Sequence, residues 1–375
     1  MLSKEITRCL LGAFILCFLF TLEAFGRGYF PGGEVVPVTD PYWYLEHIRA
    51  YEAQRVACGE GITVVTVDSG VDFEHPALSG HLVLNPAYDF GDNDTDVMDF
   101  LGHGTAIAGL ILQVAPCVKI IPLKINRDGH SFFETEALIA ALQYILELIQ
   151  SHPEIRIVNL SLVLEEESDE VARLIREIRN AGVLIVGAAG NEGIFEVDFP
   201  ASLPEVIAVS GTDIYDEPAL SSNRGEEVLI SAPAENLYVP SIFGDYTYMS
   251  GTSMAAALVS GTLALVLEVL SEGAELSLAE GSEDLGEPGY DPSYGFGRLS
   301  VLGTLIATLS RELPVLPSFL EVLPGEEREA FFLPQDNLKA LILDDEIAEI
   351  ASFRPNEGLI KIDFRSTRIK NQRIK

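Results

Sequence analysis

Short apolar runs alternate along this chain with longer amphipathic ones. The stretches "GITVVTVDSGVD" (61–72), "VKIIPLKI" (118–125), "IRIVNLSLV" (155–163), "VLIVGAAGN" (183–191), "VIAVSGTD" (206–213) and "VLISAP" (228–233) are apolar on both faces and rich in β-branched residues, the pattern of strands buried on two sides. Helical patterns lie among them. "GHGTAIAGLIL" (102–112) leads from glycines around His103 into small residues, "ETEALIAALQYILELIQ" (134–150) is apolar at the helical period, and "DEVARLIREIRNAG" (169–182) ends on a Gly. The run from Met254 to Leu270 is apolar all round, so it predicts a buried helix. Together these predict an α/β fold with a mostly parallel central sheet covered by helices on both faces. In such sheets functional groups gather at the carboxyl ends of strands, and Asp68, Ser161 and Asn191 all fall at or just past such ends.

The alternation stops near Ser310, where "RELPVLPSF" brings in prolines. This divides the chain into a main domain, 27–310, and a C-terminal extension, 311–375, with strand-like runs "KALILDD" and "GLIKIDF" that make it rich in β. The extension ends on Arg365, Arg368, Lys370, Arg373 and Lys375 with no acid among them. A solvated tail is the first reading of that cluster; docking on the acidic main domain or on an anionic membrane surface is the other. No internal repeat or low-complexity linker is present.

Composition narrows the class. With 375 residues, 48% hydrophobic content, Gly 32 and Pro 20, the chain builds a core and many turns. A net charge of −33 argues against a nucleic-acid partner, which needs a basic face. Residues 1–26 carry Lys4 and Arg8, an apolar stretch from Cys9 to Leu22 and small residues at Ala24 and Gly26, the layout of a secretory signal peptide. That stretch is short for a bilayer span, so no stable membrane span is expected, and Leu16 before Cys17 makes a poor lipoprotein signal. The expected location is secreted or periplasmic. Cleavage near Gly26 leaves two cysteines, Cys58 and Cys117; in an exported chain an even pair points to a disulfide, with two buried thiols as the alternative. No spacing resembles a metal cluster.

Ser253 stands at the start of the apolar helix, in "GTSMAAALVSG" (251–261). Alone it reads as an N-cap; with a base and an orienting carboxylate it reads as a nucleophile favoured by backbone N–H groups and the helix dipole. His103, between two glycines at a helix start, supplies the base, and Asp68 at a strand end supplies the carboxylate. Each has a plain reading as a loop or turn residue; the three together, in tight Gly contexts on one rim, point to acyl-transfer chemistry.

"VVTVDSGVD", "GHGTAIAG", "AAGNEG" and "SGTSMAAA" resemble the Asp, His, oxyanion-Asn and Ser motifs of the subtilisin-like serine proteases (subtilases, peptidase family S8), in that family's order. The resemblance extends from about Asp40 to Ser310 through "DPYWYLEHIRAYEA", "FPASLPEVIAVSGTD" and "GFGRLSV". It implies the family's three-layer fold, a catalytic triad of Asp68, His103 and Ser253, and an oxyanion hole formed by the Asn191 side chain and the Ser253 N–H. It also assigns Ser161, Leu162, Val163, Ala188, Ala189 and Gly190 to substrate binding. The implied function is serine endopeptidase activity on proteins or peptides, with no cofactor. A catalytically weak or silent relative that binds peptides is the alternative. An esterase of the Gly-x-Ser-x-Gly type is excluded by its chain order, Ser, Asp, His.

Several positions depart from the family pattern. Ala257 replaces a Pro, with little harm expected. Val163 and Leu164 replace two glycines at the edge of the specificity pocket, which implies a narrowed pocket; the acids Glu165, Glu166, Glu167, Asp169 and Glu170 that follow are a solvated loop or a preference for basic substrates. "LILQVAPCVK" is short where many members carry a calcium loop, and Ala77 stands where a calcium-ligating Asp is expected, so this calcium site is expected to be absent. In the family's fold the strands following Cys58 and Cys117 lie side by side, which implies a Cys58–Cys117 disulfide. About forty residues separate the signal from Asp68, so no N-terminal folding domain is expected.

Overall fold

A computed structural model of the chain describes residues 40–270, 273–312 and, by backbone alone, five strands between 320 and 364. The signal-like segment 1–26 and the basic end 365–375 lie outside the described residues. The chain divides into two compact units, Met1–Trp43 and Tyr44–Lys375, and every described strand belongs to the second.

The order of the main elements is β1 (Thr63–Asp68), β2 (Tyr88–Asp89), α1 (His103–Val114), β3 (Lys119–Lys124), α2 (Thr135–Ser151), β4 (Ile155–Leu160), α3 (Asp169–Asn180), β5 (Leu184–Ala188), β6 (Ile207–Thr212), β7 (Val228–Pro233), β8 (Leu237–Pro240), β9 (Tyr246–Met249), α4 (Thr252–Val269), α5 (Ala274–Gly281) and α6 (Val301–Glu312). Seven strands form one sheet in the order β2-β3-β1-β4-β5-β6-β7. Each neighbouring pair in it runs parallel. The predicted α/β architecture is therefore observed.

Alternation along the strands explains the three layers. Val65 and Val67 of β1, Ile121 and Leu123 of β3, Val158 and Leu160 of β4 and Ile185 of β5 join Leu138, Leu142 and Ile145 of α2 and Leu174, Ile175 and Ile178 of α3 in one core. The intervening residues Val64, Ile120, Ile157 and Val186 are buried as well. They point to the opposite face, where α4 crosses β4 to β7 and packs against α1. A side chain at Gly261 would meet the Val114 Cβ at 2.7 Å, so glycine permits the close approach of α4 to α1. Among the described residues α4 is the one helix long and apolar enough to cross a membrane, and most of it is buried in this core.

Cys58 and Cys117 precede the adjacent parallel strands β1 and β3 and are joined by a disulfide, with 5.1 Å between their Cα atoms. Two features go beyond the sequence pattern: the two-residue strand β2 at the sheet edge, and the antiparallel hairpin of β8 and β9. Helix α6 runs past the predicted boundary at Ser310 to Glu312. Beyond it β10 (Leu320–Leu323), β11 (Glu326–Phe332), β12 (Lys339–Asp344), β13 (Ile347–Ser352) and β14 (Asp363–Phe364) pair antiparallel in chain order. "KALILDD" supplies β12; of "GLIKIDF" only Asp363 and Phe364 are described.

Candidate active site

Asp68 is the last residue of β1 and only 6% exposed. Its Oδ1 accepts hydrogen bonds from the Ser69 backbone N–H and from His103 Nδ1, each at 2.7 Å. Its Oδ2 is buried with no hydrogen-bond partner among the described residues. His103 opens α1 and its side chain is 31% exposed. The approach is made possible by two glycines. Gly102, the N-cap, has φ +85°, and a side chain at Gly104 would sit 2.1 Å from the Gly70 carbonyl oxygen. Burial disfavours the imidazolium, but the Asp68 charge, its hydrogen bond and the nearby Asp99 outweigh that, so the His103 pKa is raised above its ordinary value.

Asp99 belongs to none of the sequence motifs, yet it fixes the loop that carries His103. It is buried; Oδ1 accepts from the Leu101 and Gly102 backbones and the Ser69 hydroxyl, and Oδ2 accepts from the Thr105 backbone and hydroxyl, at 2.7–2.9 Å. The Ser69 hydroxyl in turn accepts from the Gly104 backbone N–H at 2.9 Å. A carboxylate three residues before a Gly-His helix start was the available signal.

Ser253 is the second residue of α4, where backbone N–H groups have no acceptor within the helix. Its hydroxyl faces the Ser161 carbonyl at 3.4 Å and makes no hydrogen bond to His103. Beneath it a buried polar chain ties α4 to the end of β4. The Ser260 hydroxyl donates to Asn159 Oδ1 at 2.8 Å, Asn159 Nδ2 to the Ser161 hydroxyl at 2.9 Å, and that hydroxyl to the Ser253 carbonyl at 3.0 Å. Asn159 and Ser260 escape a reading of the sequence because a polar residue inside an apolar run looks like an imperfection until both runs are adjacent.

Asn191 follows β5, the strand beside β4. Its Oδ1 accepts from the Thr252 backbone N–H at 2.9 Å and the Thr252 hydroxyl at 3.2 Å, which leaves the exposed Nδ2 as a donor with no protein partner among the described residues. The remaining predicted binding residues line the same rim. Val163 is 38% exposed and Leu162 partly so, whereas Ser161, Ala188, Ala189 and Gly190 are buried. Leu164 leans onto the core and donates its N–H to the Phe199 carbonyl at 2.8 Å.

A second acidic constellation lies at the β2–β3 edge. Ligand atoms of Asp89, Asp92 and Asp128 come within 4.8 Å of one another. The Lys124 ammonium, 2% exposed, pairs with Asp89 at 2.9 Å and also with Asp128. Three acids spread over forty residues gave the sequence no spacing to read.

Comparison with known proteins adds the lineage. The chain belongs to the subtilase family, whose model matches residues 59–297. It is 36% identical over 231 residues to a thermophilic serine proteinase of Bacillus sp. (strain AK1), covering 58% of this chain and 54% of that protein. It is 31% identical over 238 residues to the major intracellular serine protease of Bacillus subtilis (strain 168), covering 59% of this chain and 73% of that one. Thermitase of Thermoactinomyces vulgaris is 30% identical over 242 residues, 60% of this chain and 84% of thermitase. The chain thus spans only about half the length of the first of these relatives. A solved lanthipeptide protease shares the fold, with TM-score 0.63 and 23% identity over 71% of this chain and 94% of that one.

Proposed function

We propose that the chain is an exported serine endopeptidase working through Asp68, His103 and Ser253, with Asn191 and the Ser253 backbone N–H as its oxyanion hole. The observation that carries this reading is the 2.7 Å bond between His103 Nδ1 and the buried Asp68 carboxylate. It holds the imidazole with Nδ1 protonated and Nε2 free to act as a base. When a peptide carbonyl enters the cleft, the Ser253 hydroxyl turns from the Ser161 carbonyl and gives its proton to His103 Nε2 as Oγ attacks. Hydrogen bonds of this kind are often unmade until substrate arrives. The tetrahedral oxygen then takes donors from Asn191 Nδ2 and the Ser253 N–H. His103 passes the proton to the departing amine, leaving an acyl-enzyme on Ser253 that water hydrolyses by the same route.

Export is supported by the Lys-Arg, apolar, small-residue order of residues 1–26 and by the Cys58–Cys117 disulfide, a bond favoured in oxidising compartments. The test is labelling of the purified chain by a fluorophosphonate beside Ser253→Ala. Covalent labelling confined to the parent is expected; a folded parent that stays unlabelled sinks the reading. Fractionation of the producing cell, with N-terminal sequencing of the mature protein, tests export.

A further inference from the structure

Directly after Asn191 the chain turns through 192–200 and forms one wall of a cavity of about 530 Å³. The opposite wall begins at Leu164, at the end of the strip that leaves β4 beside Ser253, and the Leu164–Phe199 backbone bond joins the two walls. The lining is unusual for a pocket. Leu164, Phe195 and Phe199 supply apolar surface, Asp198, Glu196, Glu226 and Glu227 are among its carboxylates, and among the described residues no lysine or arginine lines it. Arg224 lies over the Phe195 ring, 5.2 Å from the centroid, and among the described residues forms no ion pair with these acids.

Asp198 connects the cavity to the catalytic rim. Its carboxylate lies against Gly190, where a Cβ would come within 2.0 Å of Asp198 Oδ2, so the absent side chain at 190 makes room for the acid. Asn223 Nδ2 bridges Asp198 Oδ2 at 3.2 Å and Glu192 Oε2 at 2.9 Å, and Glu192 Oε2 also accepts from the Asn191 backbone N–H at 2.9 Å. Two carboxyl groups thus stand beside the residue that supplies the oxyanion donor, with no basic side chain paired to either among the described residues. We infer that Asp198, with Glu192 beside it, makes this cleft select a lysine or arginine side chain on the acyl side of the bond to be cleaved.

The inference rests on the proteolytic reading above and names the substrate class for that site. A peptide whose carbonyl sits at Asn191 delivers the preceding side chain toward the 161–164 strip and the 192–199 turn. A slim, long cation can pass the exposed Val163, lay its methylenes on Leu164 and Phe199 and meet the carboxylates with its charged end. Protonation in the free protein agrees with this. Burial, then the hydrogen bond and charge of Glu192 and the charge of Glu196, push Asp198 up to about 6. Burial also opposes the Glu192 charge, but hydrogen bonds from Asp198, Asn223 and the backbone hold Glu192 below its ordinary value. The pair therefore shares a proton in mildly acidic solution, and a ligand cation would take that proton's place.

Fluorogenic peptides differing only at this position (Lys, Arg, Leu, Phe, Glu) test the inference with the full chain and with Asp198→Asn. Cleavage of the Lys and Arg peptides is expected to exceed that of the Leu peptide by about 10-fold or more in kcat/KM, with the ratio collapsing toward unity in Asp198→Asn. The same peptides, bound to Ser253→Ala and followed by fluorescence polarisation, read the pocket without catalysis. Lys bound no tighter than Leu there overturns the inference, whether or not the parent cleaves. Tight Lys binding with no fluorophosphonate labelling of the parent supports it while removing the proteolytic reading. A Lys preference unchanged in Asp198→Asn overturns the assignment to Asp198.

Discussion

Asn191 Oδ1 accepts the backbone N–H of Thr252 at 2.9 Å, so the residue before the candidate nucleophile decides which way the Asn191 amide faces. Its donor end is aimed outward by a bond made at its acceptor end. Asn191→Ala is expected to lower kcat by about 10²–10³-fold with KM little changed, as for loss of one oxyanion donor. Steady-state kinetics on one good peptide decides it, and a fall confined to KM would remove Asn191 from this role.

His103 carries a raised pKa, and in the proposed mechanism only the neutral imidazole accepts the Ser253 proton. Activity is therefore expected to be low in acid and to rise through a midpoint above the ordinary histidine value of about 6.5. Asp68→Asn removes both the charge that raises the pKa and the acceptor that fixes the tautomer. Its midpoint should move down while kcat falls about 10⁴-fold. A pH–rate profile of kcat/KM reads both effects.

Asp99 gathers five hydrogen bonds around the start of α1. In Asp99→Ala the buried donors lose their acceptor at about 1–3 kcal/mol each, so the loss should exceed about 3 kcal/mol in urea unfolding. Asp99→Asn keeps the shape and part of the acceptor capacity. It should unfold between the two and show a lower His103 midpoint in the pH–rate profile, since the Asp99 charge helps to raise that pKa.

The Cys58–Cys117 bond spans 59 residues of sequence. Chain-entropy reasoning gives about 4 kcal/mol for a loop of this length, so reduction or the double change to Ala should shift the urea midpoint accordingly. Thiol titration of the unfolded, unreduced protein should find neither of these cysteines free.

Val163, where the sequence resemblance leads to the expectation of a glycine, stands exposed. Val163→Gly is expected to raise kcat/KM for peptides with Phe or Tyr on the acyl side by about 10-fold relative to Ala, a few kcal/mol of steric exclusion at most. Peptides with Phe cleaved best by the unmodified chain would contradict a narrowed entrance.

Much of the fold and of the candidate site was legible because it depended on local pattern. β-branched runs buried on two faces can only be interior strands, and Gly-flanked Asp, His and Ser at their ends mark the rim. The partners that hold those residues in place were not legible. Asp99 looks like one more acid in an acidic loop until Ser69 and Thr105 close around it. Asn159 and Ser260 are 101 positions apart, and nothing in either neighbourhood announces the bond between them. Lys124 reads as the polar end of a strand, although its ammonium is buried among aspartates. Each of these contacts exists only once the chain has crossed over, so periodicity carries no trace of it.

Lys124 has a consequence for how this edge of the molecule fails. It knits the ends of β2 and β3 to the 126–130 turn through a charge that belongs to the polypeptide itself. The clasp answers to proton activity. Burial works against the Lys124 charge, but its aspartate partners more than compensate and raise its pKa, so alkali releases it late. Asp89 acts in the opposite sense to a usual paired carboxylate: burial holds its pKa above the ordinary value despite Lys124 and the backbone donors, so the folded edge binds that proton more tightly than the unfolded chain does and its contribution to stability does not fall as pH falls.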